Sequence, residues 1–508
     1  MTPVAQRYKI LNLLGSGNMG NLYRALDRLT GQMVALKQLA RSEQITPGSS
    51  TGERDLRLTL AREFEILASL RHPYIIAVLD YGFGEDRQPF FTMELLENAQ
   101  TILAAAAAYP LKTKVELLLN LFQALEYLHR RDILHHDLKP ANVLVVHGQV
   151  KILDFGLSVL HGAASGTSGS LAYMAPELLQ QGGRSSIVTD LYAAGMIAYE
   201  MFAGHYPFDL NDPNRLISAI LNTLPDFSTL PSELSPIIAR LLDKKPTARY
   251  AHAREVIEAL SYVIQKPFLQ ESTAIQESYL QAARFVGRET ELAQLIEPLG
   301  KLSTGHGSAW LISGESGVGK SRLVDEFRIH ALVQGVQVLR GHAVSMGSQP
   351  YQMWNQILRW LVISTPLDDQ EASVLKMLLP DIDHLLERPI EEALIVDPQT
   401  SQSRLLLVIE DLFRRQTQPL VILLEDLHWA GSESLMLLQR LETFTRQYPI
   451  LIVGTYREDE KPSLAQDFRQ MGHIRLNRFS KEGVIALSEA ILGEVGRSEK
   501  LIHLLQKE

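Results

Sequence analysis

The 508-residue chain contains no cysteine. That absence excludes disulfides, thiolate metal sites and a cysteine nucleophile, and it is compatible with a reducing compartment without requiring one. Long apolar runs are also missing. The best stretches, ILAAAAAY at 102–109 and LVILL at 420–424, fall far short of the roughly 18 residues a membrane-spanning helix needs. The opening MTPVAQRYKILNLLG lacks a basic start followed by an apolar stretch and a small-residue cleavage site, so a cytoplasmic protein without a membrane partner is expected. There is no surplus of positive charge. Lys plus Arg total 49 against 58 Asp plus Glu, a net charge of −9, which removes the electrostatic reason to expect a nucleic-acid or anionic-membrane partner.

What is present is a globular composition, 46% hydrophobic and 21% charged. The length fits two large domains or about three of ordinary size. No internal repeat is visible, and the five alanines at 104–108 are read as an ordinary helix. The first half opens with short strand-like runs around glycines and turns helical from about Lys112. The polar stretch QKPFLQESTAIQESYLQAA, 265–283, reads as a linker. Beyond it, apolar strand-like runs (AWLIS, VQVL, LVILL, ILIVGTY) alternate with long helical segments, the pattern of an α/β domain with a parallel sheet.

Phosphate chemistry is signalled first by LLGSGNMGNLYRA, a G-x-G-x-x-G at Gly15, Gly17 and Gly20. By itself the pattern is weak. The following NLYRALD alternates like a strand, so the loop is expected to fold over phosphates as a hairpin rather than open a helix. VALK places Lys37 on a neighbouring strand, 17 residues after the last glycine. Glu63 falls in a segment of helical spacing (Leu60, Phe64, Leu67, Leu70) and can hold Lys37 against the nucleotide phosphates. Next comes ILHHDLKPANVLV, with Asp137, Lys139 and Asn142, then Asp154 in KILDFGLS twelve residues later. Phosphoryl transfer needs a carboxylate to orient the acceptor hydroxyl, a cation near the γ-phosphate and oxygen ligands for Mg²⁺. Asp137, Lys139, and the pair Asn142 and Asp154 supply those groups in that order. APE at 175–177, Asp190 in TDLYAAG, and Arg249 in KKPTARY complete the series.

The ordered set GxGxxG, VALK, Glu63, HxDLKPxN, DFG, APE and DxxxxG resembles the bacterial serine/threonine protein kinases of eukaryotic-like type over residues 8–264. The resemblance implies an α+β bilobal protein kinase fold with ATP between the lobes, Met93 as gatekeeper and a hinge at 94–96, with Glu94 and Leu96 against the nucleotide. It implies an Arg249–Glu177 brace and Asp190 supporting the catalytic-loop backbone. Three departures stand out. His136 occupies the place of an arginine that grips a phosphorylated activation loop, which implies activity that depends little on phosphorylation at Ser165, Thr167 or Ser168. Ser170 stands where threonine is usual, and the polar stretch 40–55 lies between Lys37 and Glu63 as a loop.

A second nucleotide site follows the linker. SAWLISGESGVGKSRLVDEF carries G-x-x-x-x-G-K-S at Gly314, Gly319, Lys320 and Ser321, with Gly317 inside the loop, between an apolar strand and a helix. Backbone N–H groups there cradle phosphates, Lys320 reaches the outer ones, and Ser321 ligates Mg²⁺. Glu425 and Asp426, just after LVILL, are the expected acidic partners for the metal shell and the attacking water. Thr455 and Arg457, ending ILIVGTYR, could sense the γ-phosphate. With FVGRETEL (285–292), EDLHWA and GTYRED, this half resembles the ATPase modules of STAND and AAA regulators, in which FVGRE helps cover the base. The resemblance implies an α/β P-loop NTPase domain over 284–508, and further helical and sensor domains, so the sequence ends at LIHLLQKE partway through that pattern.

The leading expectation is therefore an ATP- and Mg²⁺-dependent serine/threonine protein kinase acting on protein hydroxyls, joined to a nucleotide-switched module that also supports homo-oligomers. The alternative is a signalling scaffold with a catalytically weak kinase-like half. A DNA-binding regulator finds no basic recognition helix in these residues.

Overall fold

The computed structural model describes residues 7–17, 20–39, 70–83, 89–153, 171–180, 183–265, 285–345, 349–394, 397–492, 498 and 502. Glu63, Asp154, Ser165, Thr167, Ser168, Ser170, the stretch 40–55 and most of the linker lie outside them. By spatial proximity the chain divides into two compact units, one of Met1–Ala68, Leu79–Met93 and Phe285–Glu508, the other of Ser69–Val78 and Glu94–Arg284.

The first five strands are β1 (Tyr8–Gly17), β2 (Gly20–Asp27), β3 (Met33–Leu39), β4 (Val78–Phe83) and β5 (Pro89–Glu94), in one sheet ordered β1-β2-β3-β5-β4. Alternation in β2 turns Ala25 and Asp27 inward, and Ala25 packs in a small core with Tyr8, Val34, Leu36 and Phe90. Tyr8 and Phe90 meet edge to face, centroids 5.9 Å apart.

The helical unit is built on the helix Leu111–His129, whose Val115, Leu118, Phe122 and Leu125 are fully buried. It packs against Ile187–Ala203 and Ala253–Val263. A three-stranded sheet joins β6 (Gln100–Thr101), which precedes that helix, to β7 (Val143–Val146) and β8 (Gln149–Ile152), which follow it. Gly195 explains the last letter of DxxxxG: a Cβ there would sit 2.7 Å from Leu241 Cβ, so its absence lets Ile187–Ala203 approach Ser235–Leu241 closely.

In the first unit, β9 (Ser308–Gly314), β10 (Gln337–His342), β11 (Leu420–Glu425), β12 (Ile450–Arg457) and β13 (Gly472–Arg475) form an all-parallel sheet, ordered β10-β11-β12-β9-β13. The near-continuous apolar runs of β11 and β12 are buried on both faces, as a helix-covered parallel sheet requires. Between β10 and β11 stand the helices Asn355–Ser364, Asp369–Leu375, Ile382–Leu386 and Pro398–Arg414, packed around Trp354, Ile357, Leu361 and Phe413.

Candidate functional site

The glycine-rich segment is the β1–β2 hairpin, in which Gly17 pairs with Gly20 and Gly15 with Leu22. Leu22 in turn pairs with Lys37 on β3, so the glycines and Lys37 share neighbouring rows of one sheet. Lys37 is buried, with its ammonium 6.0 Å from the centre of the Phe91 ring. Met93 is buried at the end of β5. The Glu94 carboxylate accepts hydrogen bonds from Lys151 Nζ (2.7 Å) and the Ala77 N–H (3.1 Å), and Leu96 is half-buried two residues on.

In the helical unit, Asp137, Lys139 and Asn142 come together. Lys139 Nζ donates to Asp137 Oδ2 at 2.7 Å, and Asn142 Nδ2 donates to the Asp137 carbonyl (2.8 Å) and to Oδ2 (3.2 Å). With its amide nitrogen committed, Asn142 has its side-chain oxygen left to face a cation. The loop is held from below by Asp190 on Ile187–Ala203. Its carboxylate accepts the backbone N–H groups of His135 (2.9 Å) and His136 (3.2 Å), and lies 2.9 Å from His129 Nε2. Burial works against the Asp190 charge, yet the bonds and charge of His129, His135 and the loop backbone outweigh it and hold the carboxyl below its usual range. His136 sits at φ +66°, a left-handed conformation uncommon outside glycine, and the Asp190 bond to its N–H secures it there. Glu177 and Arg249 form a two-pronged ion pair, both contacts 2.8 Å, with Arg249 buried over the Tyr192 ring.

In the parallel sheet, the carboxyl ends of β9, β11 and β12 point the same way, and Arg457 pairs in register with Gly314. That is where open parallel sheets bind ligands. Gly319 caps the helix Lys320–Val333, and Gly317 and Gly319, with φ of +77° and +102°, adopt the left-handed conformation that favours glycine. Lys320 is buried and donates to the carbonyls of Gly314 (2.8 Å) and Glu315 (2.7 Å). Burial and then the Arg457 charge lower its pKa, against the pull of Asp459, Asp426 and Glu460. Ser321 is exposed at the start of the helix.

The two acidic residues after LVILL diverge. Glu425 Oε1 is taken by Arg340, from Nε (3.0 Å) and Nη2 (2.6 Å), and Arg340 also bridges to Asp325 at 3.0 Å. Asp426, at φ +58°, receives no such arginine among the described residues; its N–H donates to Thr455 Oγ1 at 3.2 Å, and its carboxylate lies 3.7 Å from His342. Arg457 lies over the Trp429 ring, 5.2 Å from its centre, and pairs with Glu460 at 2.6 Å. The Arg457 N–H donates to His428 Nδ1, and Trp429 Nε1 donates to Glu460. Sequence reasoning missed Arg340, His428 and Glu460. The histidine was visible inside EDLHWA, but Arg340 had no signal beyond a cation on a strand. Arg288 of FVGRE donates to the Val318 and Asn477 carbonyls and stacks on Phe479, which ties that segment to the phosphate loop.

Comparison with known proteins groups the first sheet with the helical unit, where spatial proximity groups it with the parallel sheet. The protein kinase domain family matches residues 8–263, and the AAA ATPase domain family matches 284–453. The chain is 30% identical over 279 residues to the CBL-interacting protein kinase 30 of Oryza sativa, covering 53% of this chain and 55% of that protein. It is 36% identical to the DNA damage-responsive serine/threonine-protein kinase RqkA of Deinococcus radiodurans, over 47% of this chain and 36% of the relative. An Aurora kinase of Schizosaccharomyces pombe is 31% identical over 48% of this chain and 68% of its own length. The chain thus spans about half or less of the first two relatives. Because the kinase match covers half of all residues and includes the loop that Asp190 supports, the chain belongs to the protein kinase family, with an AAA-type ATPase domain following the kinase domain.

Proposed function

We propose that the chain is a protein kinase that moves the γ-phosphoryl group of ATP onto serine or threonine hydroxyls of proteins, with a second ATP site in a regulatory P-loop domain. The observation that carries this reading is the Asp137–Lys139–Asn142 constellation anchored by Asp190. Asp137 orients the acceptor hydroxyl and takes its proton, while Lys139 offsets charge on the phosphoryl group in flight. Asn142, with Asp154, holds magnesium, which supplies electrostatic neutralisation of the phosphate oxygens when bound. Lys37 positions the phosphates, with Glu63 as its partner, under the loop of Gly15, Gly17 and Gly20. Backbone at Glu94 and Leu96 receives the adenine. The lysine after DL in DLKPAN supports hydroxyls of serine and threonine as acceptors. Domain limits of 8–264 and 284–508, with 265–283 as linker, go with this reading.

In the P-loop domain, Gly314, Gly317 and Gly319 present backbone N–H groups, Lys320 turns from the carbonyls to the phosphates, and Ser321 reaches the metal. Asp426 is the better placed of the two acidic residues to act on the attacking water, since Arg340 occupies Glu425. Incubation with radiolabelled ATP tests the assignment. Label on protein serine or threonine is expected with the parent chain and a loss of at least about a thousandfold with Asp137→Ala. Equal labelling by the two, or none by either, would leave the scaffold reading in its place.

A further inference from the structure

A leucine at the tip of a strand turn is ordinarily exposed, yet Leu29, between β2 and β3, is only 6% exposed. It belongs to the same buried apolar cluster as Trp360, Ile382 and Leu385 of the P-loop domain. The turn is built to present it. Asp27 accepts the Leu29 N–H at 3.0 Å while Arg7 grips the same carboxylate at 3.0 and 2.9 Å, and the Gly31 N–H closes back on the Asp27 carbonyl at 2.8 Å. Around the leucine stands a polar rim. Arg359 Nε donates to the Leu29 carbonyl at 3.0 Å and is itself set by Asp381. Arg28 donates to the Leu385 carbonyl, and Lys9 pairs with Glu387 at 3.3 Å. A second contact lies at the sheet's edge strand: Arg328, on the helix that begins at Lys320, donates to the Leu79 carbonyl of β4 at 2.8 Å.

We propose that the β2–β3 turn of the kinase sheet is an intramolecular plug seated on the helical segment of the P-loop domain, and that nucleotide at Lys320 acts on the kinase through it. The geometry gives a short mechanical path. The helix Asn355–Ser364 packs on β10, which also touches the P-loop helix Lys320–Val333 and pairs with β11, the strand ending at Glu425, and Arg359 on the helix Asn355–Ser364 holds the turn joining β2 to β3. β2 and β3 carry Gly20 and Lys37. Buried apolar anchor, charged rim and a rigid turn are the features of a specific interface, and the occupant is this chain's own sheet. The coupling, though not the docking, rests on the two-site reading above.

A cysteine-free chain allows a clean test. Lys9→Cys with Glu387→Cys replaces an exposed pair with two thiols, which a short bis-maleimide should bridge within single chains. Leu29→Glu should slow bridging at least about tenfold, from the loss of one buried leucine. Arg359→Ala, which leaves the sheet untouched, should slow it in the same direction. No bridging in the parent pair, or bridging in both variants as fast as in the parent pair, overturns the docking. A magnesium complex of a non-hydrolysable ATP analogue should change the bridging rate at least about fivefold, and Lys320→Ala should abolish that change. A rate indifferent to the analogue, or a response that survives Lys320→Ala, overturns the coupling. None of these readouts uses phosphoryl transfer, so a failure of the kinase reading would show separately in the labelling assay.

Discussion

His72 illustrates how one buried side chain sets a pH limit. Burial first, and then the Lys151 charge, lower its pKa from 6.5 to about 3, and it works as a neutral acceptor for the Tyr74 N–H at 3.2 Å. A folded value below the unfolded one means the stabilisation is complete above pH 6.5 and drains away as pH falls from there toward 3. The expected loss is about 1.4 kcal/mol for each pH unit in that window. Chemical unfolding at pH 7.0 and 5.5 should show it, and His72→Gln should flatten the dependence; an unchanged slope would refute the assignment. His136 carries a second residue-scale expectation. Without a guanidinium at this position, labelling activity should persist when Ser165, Thr167 and Ser168 are all replaced by alanine. Loss of activity in that triple variant would mean the loop is gripped by other cations.

At the scale of elements, the Arg249–Glu177 pair joins the APE segment to the end of the helical unit. Arg249 is 3% exposed, donates in addition to the Asp243 and Val188 carbonyls, and stacks on Tyr192. Removing it empties a buried site and strands the half-buried Glu177 carboxylate, so Arg249→Ala should cost about 3 kcal/mol in denaturant unfolding. Arg249→Lys should recover little, because an ammonium cannot make the two-pronged contact. A lysine variant as stable as the parent would show that charge alone, not the fork, supports the brace. Much at this scale was legible in advance. Alternation marked β2, and uninterrupted apolar runs marked β11 and β12, because strand burial writes itself into residue order. The P-loop was legible too, since its glycines, lysine and flanking elements are contiguous. Arg340 was not: it lies 85 positions from Glu425, and only the parallel pairing of β10 with β11 brings them together.

For the whole molecule, the two proposed nucleotide sites predict a stoichiometry. Equilibrium dialysis with an ATP analogue and magnesium should find about two bound nucleotides, and Lys320→Ala or Lys37→Ala should each leave about one. A single site in the parent would remove one half of the proposal, and the surviving variant would say which half. Among the described residues no helix is long and apolar enough to cross a membrane.

Residue order by itself determined the local pattern: which loops are rich in glycine, which strand ends carry carboxylates, and which lysines stand near them. Those properties depend on neighbours a few positions away, and spacing records them directly. Tertiary structure alone decided the partnerships, such as Asp190 beneath the 135–136 backbone, Arg340 on Glu425 and Leu29 in a foreign core. Such contacts join positions tens to hundreds of residues apart, and only the folded path of the chain sets their distances.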